Sequence, residues 1–105
     1  METPWLERRY QRNPMIVTRS IAGERLLIPI HRSVGDKDWI FTLNETAGFL
    51  WDALEELRSG EELVEMARRS YEAGREELVE DVGRVLGELE AVGAVVLDGV
   101  EPDPE

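Results

Sequence analysis

The hydrophobic pattern of the chain changes period once, at Asn44. Upstream, apolar residues alternate; downstream, they recur at helical spacing. Pro14 opens the β-branched run 15–21 (MIVTRSI), Ala22-Gly23-Glu24 reads as a turn, and residues 25–31 (RLLIPIH) read as the returning strand of a hairpin. Leu26, Ile28 and Ile30 share one face of that strand, and Leu27, Pro29 and His31 share the other. Pro29 cannot donate to a sheet ladder, so its neighbourhood belongs at an edge or a bulge. Residues 33–37 form the next turn, and a third strand is predicted over 38–43, with Trp39, Phe41 and Leu43 alternating.

Asn44 then serves as N-cap for a helix over 45–58 whose apolar stripe is Ala47, Leu50, Trp51, Leu54 and Leu57. Its side-chain oxygen can accept an orphan N–H, and Glu45 suits the positive end of the helix dipole. Ser59-Gly60-Glu61-Glu62 is a capping box opening a second helix, which buries Leu63, Val64, Ala67 and Tyr71 and stops at Ala73-Gly74. A third helix runs from about Glu76 to Gly93 with Leu78, Val82, Val85, Leu86, Leu89 and Val92 inward. Residues 94–97 (AVVL) read as a short strand or extended tail.

Residues 1–13 show no sustained period and are expected to be a mobile arm, although Trp5, Leu6 and Tyr10 could dock. Residues 98–105 hold two prolines and four acids, the composition of a disordered acidic tail. The folded domain is thus expected over 14–97. Its class is α+β: a three-stranded antiparallel sheet, then three helices and a short C-terminal strand, in the manner of a winged helix-turn-helix.

Composition narrows the functions. The chain of 105 residues has no apolar run near the ~20 residues of a membrane span, and its first residues do not form a signal peptide. Cysteine is absent, which excludes disulfides, thiolate metal sites and cysteine catalysis and fits a cytoplasmic protein. Residues 1–43 carry seven Lys/Arg against five Asp/Glu; residues 44–105 carry five against eighteen. A surface so acidic repels phosphate, which argues against nucleic acid and anionic membranes as partners. A winged-helix DNA regulator is the alternative that the fold raises. The third helix, however, offers Arg75 and Arg84 against six acids.

Catalytic groupings are missing. His31 is the one histidine, Glu76-Glu77 and Glu80-Asp81 lie on a helix rather than in a calcium loop, no phosphate-binding glycine loop follows a strand, and the serines lack a neighbouring base. No enzyme activity, cofactor or metal is expected; an accessory subunit of an enzyme remains a further alternative. What the pattern does offer is a strand edge. Residues 39–43 are short, apolar and free of proline, so an extended peptide could add to them as a further strand. Gly83 and Gly87 make a low stripe beside Val79 on the third helix, which would suit either a close peptide backbone or internal packing. Trp39 and Phe41 fit core and ligand contact equally.

In this order, the hairpin, the strand, Leu43-Asn44-Glu45-Thr46-Ala47, Leu50-Trp51, Glu62-Leu63-Val64, Tyr71, Asp81-Val82, Leu89 and Gly93 resemble the PqqD family, the precursor-recognition domains (RiPP recognition elements) of ribosomally made, modified peptides. The resemblance spans roughly residues 14–97. It implies a non-catalytic peptide chaperone. Such a domain binds the leader of a precursor peptide as an added antiparallel strand on the third strand, in a groove closed by the third helix. It then presents the peptide to a modifying enzyme, often a radical S-adenosylmethionine enzyme, in pyrroloquinoline quinone or related biosynthesis. Carried onto this chain, the strand edge is Trp39, Ile40, Phe41 and Thr42, and the helical wall comes from Val79, Val82, Gly83 and Leu86. Asn44 and Asp81 match the pattern and read as a cap and a helix-start acid. An exposed edge also permits a homodimer. The long N-terminal arm and the connection from Arg32 to Asp38 depart from the family pattern.

Overall fold

Among the described residues, two small antiparallel sheets, rather than one, flank three helices. A computed structural model describes residues 4–30 and 40–98. The elements in order are a short 3-10 helix (Pro4–Glu7), β1 (Arg9–Arg12), β2 (Ile16–Ile21), β3 (Glu24–Pro29), β4 (Phe41–Leu43), α1 (Glu45–Ala53), β5 (Arg58–Ser59), α2 (Gly60–Ser70), α3 (Arg75–Ala91) and β6 (Val95–Leu97). The α+β order of strands, three helices and a C-terminal strand is as expected. Strands β2, β3 and β4 form the predicted sheet in that spatial order, and β5, β1 and β6 form the second.

The hairpin closes through a two-residue turn. Ile21 pairs with Glu24, and the intervening Ala22 and Gly23 both take positive φ, 53° and 84°. That pair of conformations matches the right-handed twist of the flanking strands. Pro29 ends the central strand. Ile30 N donates to Met15 O at 2.8 Å, so Pro29, one residue earlier, turns its nitrogen the other way, toward β4. Among the described residues the β3–β4 ladder runs from Arg25↔Leu43 to Leu27↔Phe41, short of the proline.

Three polar contacts bind α1 to the strands. Trp51 Nε1 donates to Thr18 Oγ1 at 2.8 Å, and the Arg25 guanidinium holds the Asp52 carboxylate through two nitrogens. Arg12 donates to the Trp51 carbonyl from Nε and NH2 while lying 4.6 Å from the Trp51 ring centre. Both caps of the sequence reading are present. Asn44 Oδ1 accepts from Ala47 N at 2.8 Å, Ser59 Oγ from Glu62 N at 3.1 Å, and Glu62 Oε1 from Ser59 N at 2.8 Å. The core collects Leu27, Leu43, Leu50, Trp51, Leu54, Leu63, Val64, Val82, Val85, Leu86 and Leu89 with Tyr10 and Val95.

Several expectations are corrected. Residues 4–12 are not a free arm: β1 is the central strand of the second sheet, and Tyr10 is 1% exposed. Its tyrosine supplies apolar area that the small domain otherwise lacks. Helix α1 ends at Ala53, not Arg58, because Arg58 turns back to donate to the Ala53 carbonyl at 2.9 Å and joins β5 against Tyr10. Helix α2 ends at Ser70 with Tyr71 extended, ahead of Ala73-Gly74. The final segment is a strand, β6, paired with β1 from Arg12↔Val95 to Tyr10↔Leu97. The folded unit therefore extends from Pro4 through Asp98, whose N–H reaches Arg9 O at 2.8 Å. The expected strand over 38–43 is described as a strand only over 41–43. Trp39, His31, the connection 32–38 and the acidic tail beyond Asp98 lie outside the described residues.

Candidate peptide-binding edge and groove

Among the described residues, strand β4 borders the sheet with one side unpaired. In the β2–β3 register, the even-numbered residues of β3 turn their backbone groups toward β2 and the odd-numbered ones toward β4. Arg25 and Leu27 therefore bond across to Leu43 and Phe41. Thr42 lies between these two, so its N–H and C=O point away from the sheet, and those of Ile40 follow by the same alternation. Side chains alternate in the other direction. Phe41 and Leu43 pack on the core, while Thr42 is exposed and Ile40 is 63% exposed on the outer face.

Past β4 the chain enters α1 and borders a groove between the three helices. Thr46 and Phe49 from α1, Ala67, Tyr71, Glu72 and Ala73 from α2 and its exit, and Leu78, Asp81 and Val82 from α3 enclose about 280 Å³. Phe49 and Tyr71 meet edge to face with centroids 5.5 Å apart, which fixes the aromatic part of the wall. Burial, followed by the charge of Glu45, raises the Tyr71 hydroxyl pKa above its ordinary value. Asp81 is partly exposed and lies 3.5 Å from Arg84, a loose i,i+3 ion pair; Arg84 also approaches Glu88 at 3.9 Å.

The expected site residues separate into two groups. Ile40, Phe41 and Thr42 lie together at the strand edge, and Val82, 1% exposed, forms part of the groove floor. Val79, Gly83 and Leu86 do not line the groove. At 100° per residue they share a different flank of α3 with Glu90. A Cβ built on Gly83 would stand 2.9 Å from Trp5 Cζ2, and one on Gly60 would stand 2.5 Å from both Trp5 Cε3 and the Trp5 carbonyl oxygen. The Trp5 indole thus lies against the backbones of α2 and α3, and the chain's own N-terminal segment fills the low stripe at Gly83. Farther along this flank, Tyr10 is close enough to Glu90 that the carboxylate adds to the effect of burial in raising the tyrosine pKa. Nothing stands within 4 Å of a Cβ at Gly87.

Phe49, Tyr71, Thr46 and Leu78 were not singled out for the groove from sequence. A signal did exist. Thr46 and Phe49, three residues apart, sit beside the Ala47-Leu50-Leu54 stripe rather than within it, where an amphipathic helix usually turns polar. Among the described residues, no group of three or more His, Asp or Glu is placed to hold a metal ion, and no helix is long and apolar enough to cross a membrane.

Comparison with known proteins bears on both fold and family. The structure of TbiB1 in complex with the TbiA(beta) leader peptide matches with a TM-score of 0.66 at 22% identity, covering 86% of this chain and 96% of that one. At that identity the likeness is one of fold. Among curated proteins, none matches. The family model for coenzyme PQQ synthesis protein D (PqqD) matches residues 27–95, from the middle of β3 to the start of β6. Since that match takes in well over half of its residues, the chain belongs to the PqqD family.

Proposed function

We propose that this protein is a non-catalytic peptide chaperone that receives the leader of a ribosomally made precursor peptide as a fourth strand on β4 and presents it to a modifying enzyme. The observation that carries the reading is the free edge at Thr42, whose N–H and C=O face outward beside the groove that opens at Thr46. An added strand gains main-chain hydrogen bonds there, and its inward side chains reach the groove, so affinity and specificity have separate sources. Family membership and the leader-bound state of the TbiB1 structure support the same reading. In this account Ile40, Phe41, Thr42 and Val82 take part in binding, together with Thr46, Phe49 and Asp81, and no cofactor is needed. A radical S-adenosylmethionine enzyme is the proposed recipient of the peptide, and the cytoplasm is the proposed compartment.

Titration of the isotope-labelled protein with the leader peptide encoded beside its gene tests the reading. Amide shifts are expected at 40–43, 46–49 and 78–82. Thr42→Pro removes the outward donor without touching a β3–β4 bond, and it should weaken the complex at least tenfold while the remaining spectrum stays that of the folded protein. Absence of shifts at 40–43 with saturating peptide would overturn it.

A further inference from the structure

The groove between the helices is more specific than a general apolar trough. Its floor is aromatic and aliphatic: Phe49, Tyr71, Leu78 and Val82, with Ala67 and Ala73 leaving space between them. Its volume of about 280 Å³ exceeds what a small side chain would fill. Among the described residues, the charged ones lining it are Glu72 and Asp81, and no lysine or arginine lines it. Arg84, the cation nearest to Asp81, is shared loosely between Asp81 and Glu88 and is not part of the lining.

We infer that this groove is a side-chain pocket selective for a bulky aromatic or long aliphatic residue of the bound peptide accompanied by a Lys or Arg two positions away. In an extended peptide, residues i and i+2 project to the same face. With the apolar side chain seated between Phe49 and Val82, the flexible stem of a neighbouring Lys or Arg can lay its charge against Glu72 or Asp81 at the rim. A carboxylate in the same place would face these acids with no basic residue among the described lining to offset them. The acidic character of the helical half of the chain, eighteen Asp/Glu against five Lys/Arg over 44–105, extends the preference outward and favours approach of a cationic segment. This inference rests on the strand-addition reading for what brings the peptide to the groove, while the pocket itself can be probed without any peptide.

The test uses two small probes with the same ring and opposite charge, phenethylammonium and phenylacetate, titrated into the labelled full-length protein. Phenethylammonium should shift the amides of Thr46, Tyr71, Glu72 and Asp81 and bind about threefold tighter than phenylacetate, the range that a solvent-exposed ion pair supplies. Raising the salt concentration should narrow the gap. The double variant Glu72→Gln, Asp81→Asn should bring the two affinities together while ring binding persists, which separates loss of charge from loss of fold. No shift at these residues with either probe would overturn the pocket. Equal binding of the two probes, or preference for phenylacetate, would overturn its charge selectivity. Shifts at 40–43 in the leader titration report strand addition independently, so failure of the pocket and failure of the parent reading are distinguishable.

Discussion

The two flanks of α3 differ in what covers them. The flank carrying Val79, Gly83, Leu86 and Glu90 has the smaller side chains and looks, on sequence, like the natural bed for a peptide. It is covered by Trp5 at Gly83, and Tyr10 lies near Glu90. The flank carrying Leu78, Asp81 and Val82 has no glycine, yet it borders the open groove. Low relief on a helix therefore indicates that something comes close; it does not indicate whether the visitor belongs to the same chain. A domain of this size gains more from covering such a stripe with its own indole than from leaving it exposed.

Trp5→Ala breaks the comparison most sharply. Removing the indole should cost about 3 kcal/mol, the low end for deleting a packed aromatic, measured by urea unfolding. Leader affinity, read at the β4 edge, should change little. If unfolding were unaffected while peptide binding fell, the covered flank would be the binding surface and the assignment of the two flanks would be reversed.

The two glycines of the stripe should then part company. Gly83→Ala places a methyl 2.9 Å from the Trp5 ring, and overpacking should outweigh the gain in helix propensity, for a net loss of about 1 kcal/mol. Gly87→Ala meets open space and should stabilise by about 0.5–1 kcal/mol. Thermal unfolding of the two variants measures the contrast, and equal effects would remove Trp5 as its cause.

The smallest expected effect concerns pH. The hydrogen bond from Arg25, which joins the open-edged sheet to α1, holds the Asp52 carboxyl below its usual range. A carboxyl depressed in the folded state contributes stability above its unfolded pKa and loses it as pH falls through the folded pKa. Stability of the native protein should therefore decline on the acid side of about pH 4 more than that of Asp52→Asn. Because the pair is exposed, the difference should be a few tenths of a kcal/mol. Parallel acid unfolding curves would show that Arg25 and Asp52 do not act as a pair.

Much of the helical layer was legible because its signals are local. Asn44, the Ser59–Glu62 box and the period through Leu78, Val82, Val85 and Leu89 each act within a few residues, and the structure has them as expected. The second sheet was not legible. Arg9-Tyr10-Gln11-Arg12 has one apolar residue in four, and its partners at 58–59 and 95–97 lie some 50 and 85 positions away. Such a strand is made by its neighbours rather than by its own propensity. The site divides in the same way. The edge at Ile40 to Thr42 follows from alternation and the absence of proline. The groove needs the relative rotation of three helices, which no single repeat encodes, and only Val82 of the expected wall turned toward it.

Amide hydrogen exchange of the protein with and without its leader peptide tests strand addition most directly. Phe41 and Leu43, whose backbones already face β3, should change little, whereas the outward amide of Thr42, and that of Ile40, should become strongly protected when the peptide binds. Protection instead at Thr18 and Ser20, on the opposite edge of the same sheet, or none at Thr42 with the peptide bound, would contradict the account.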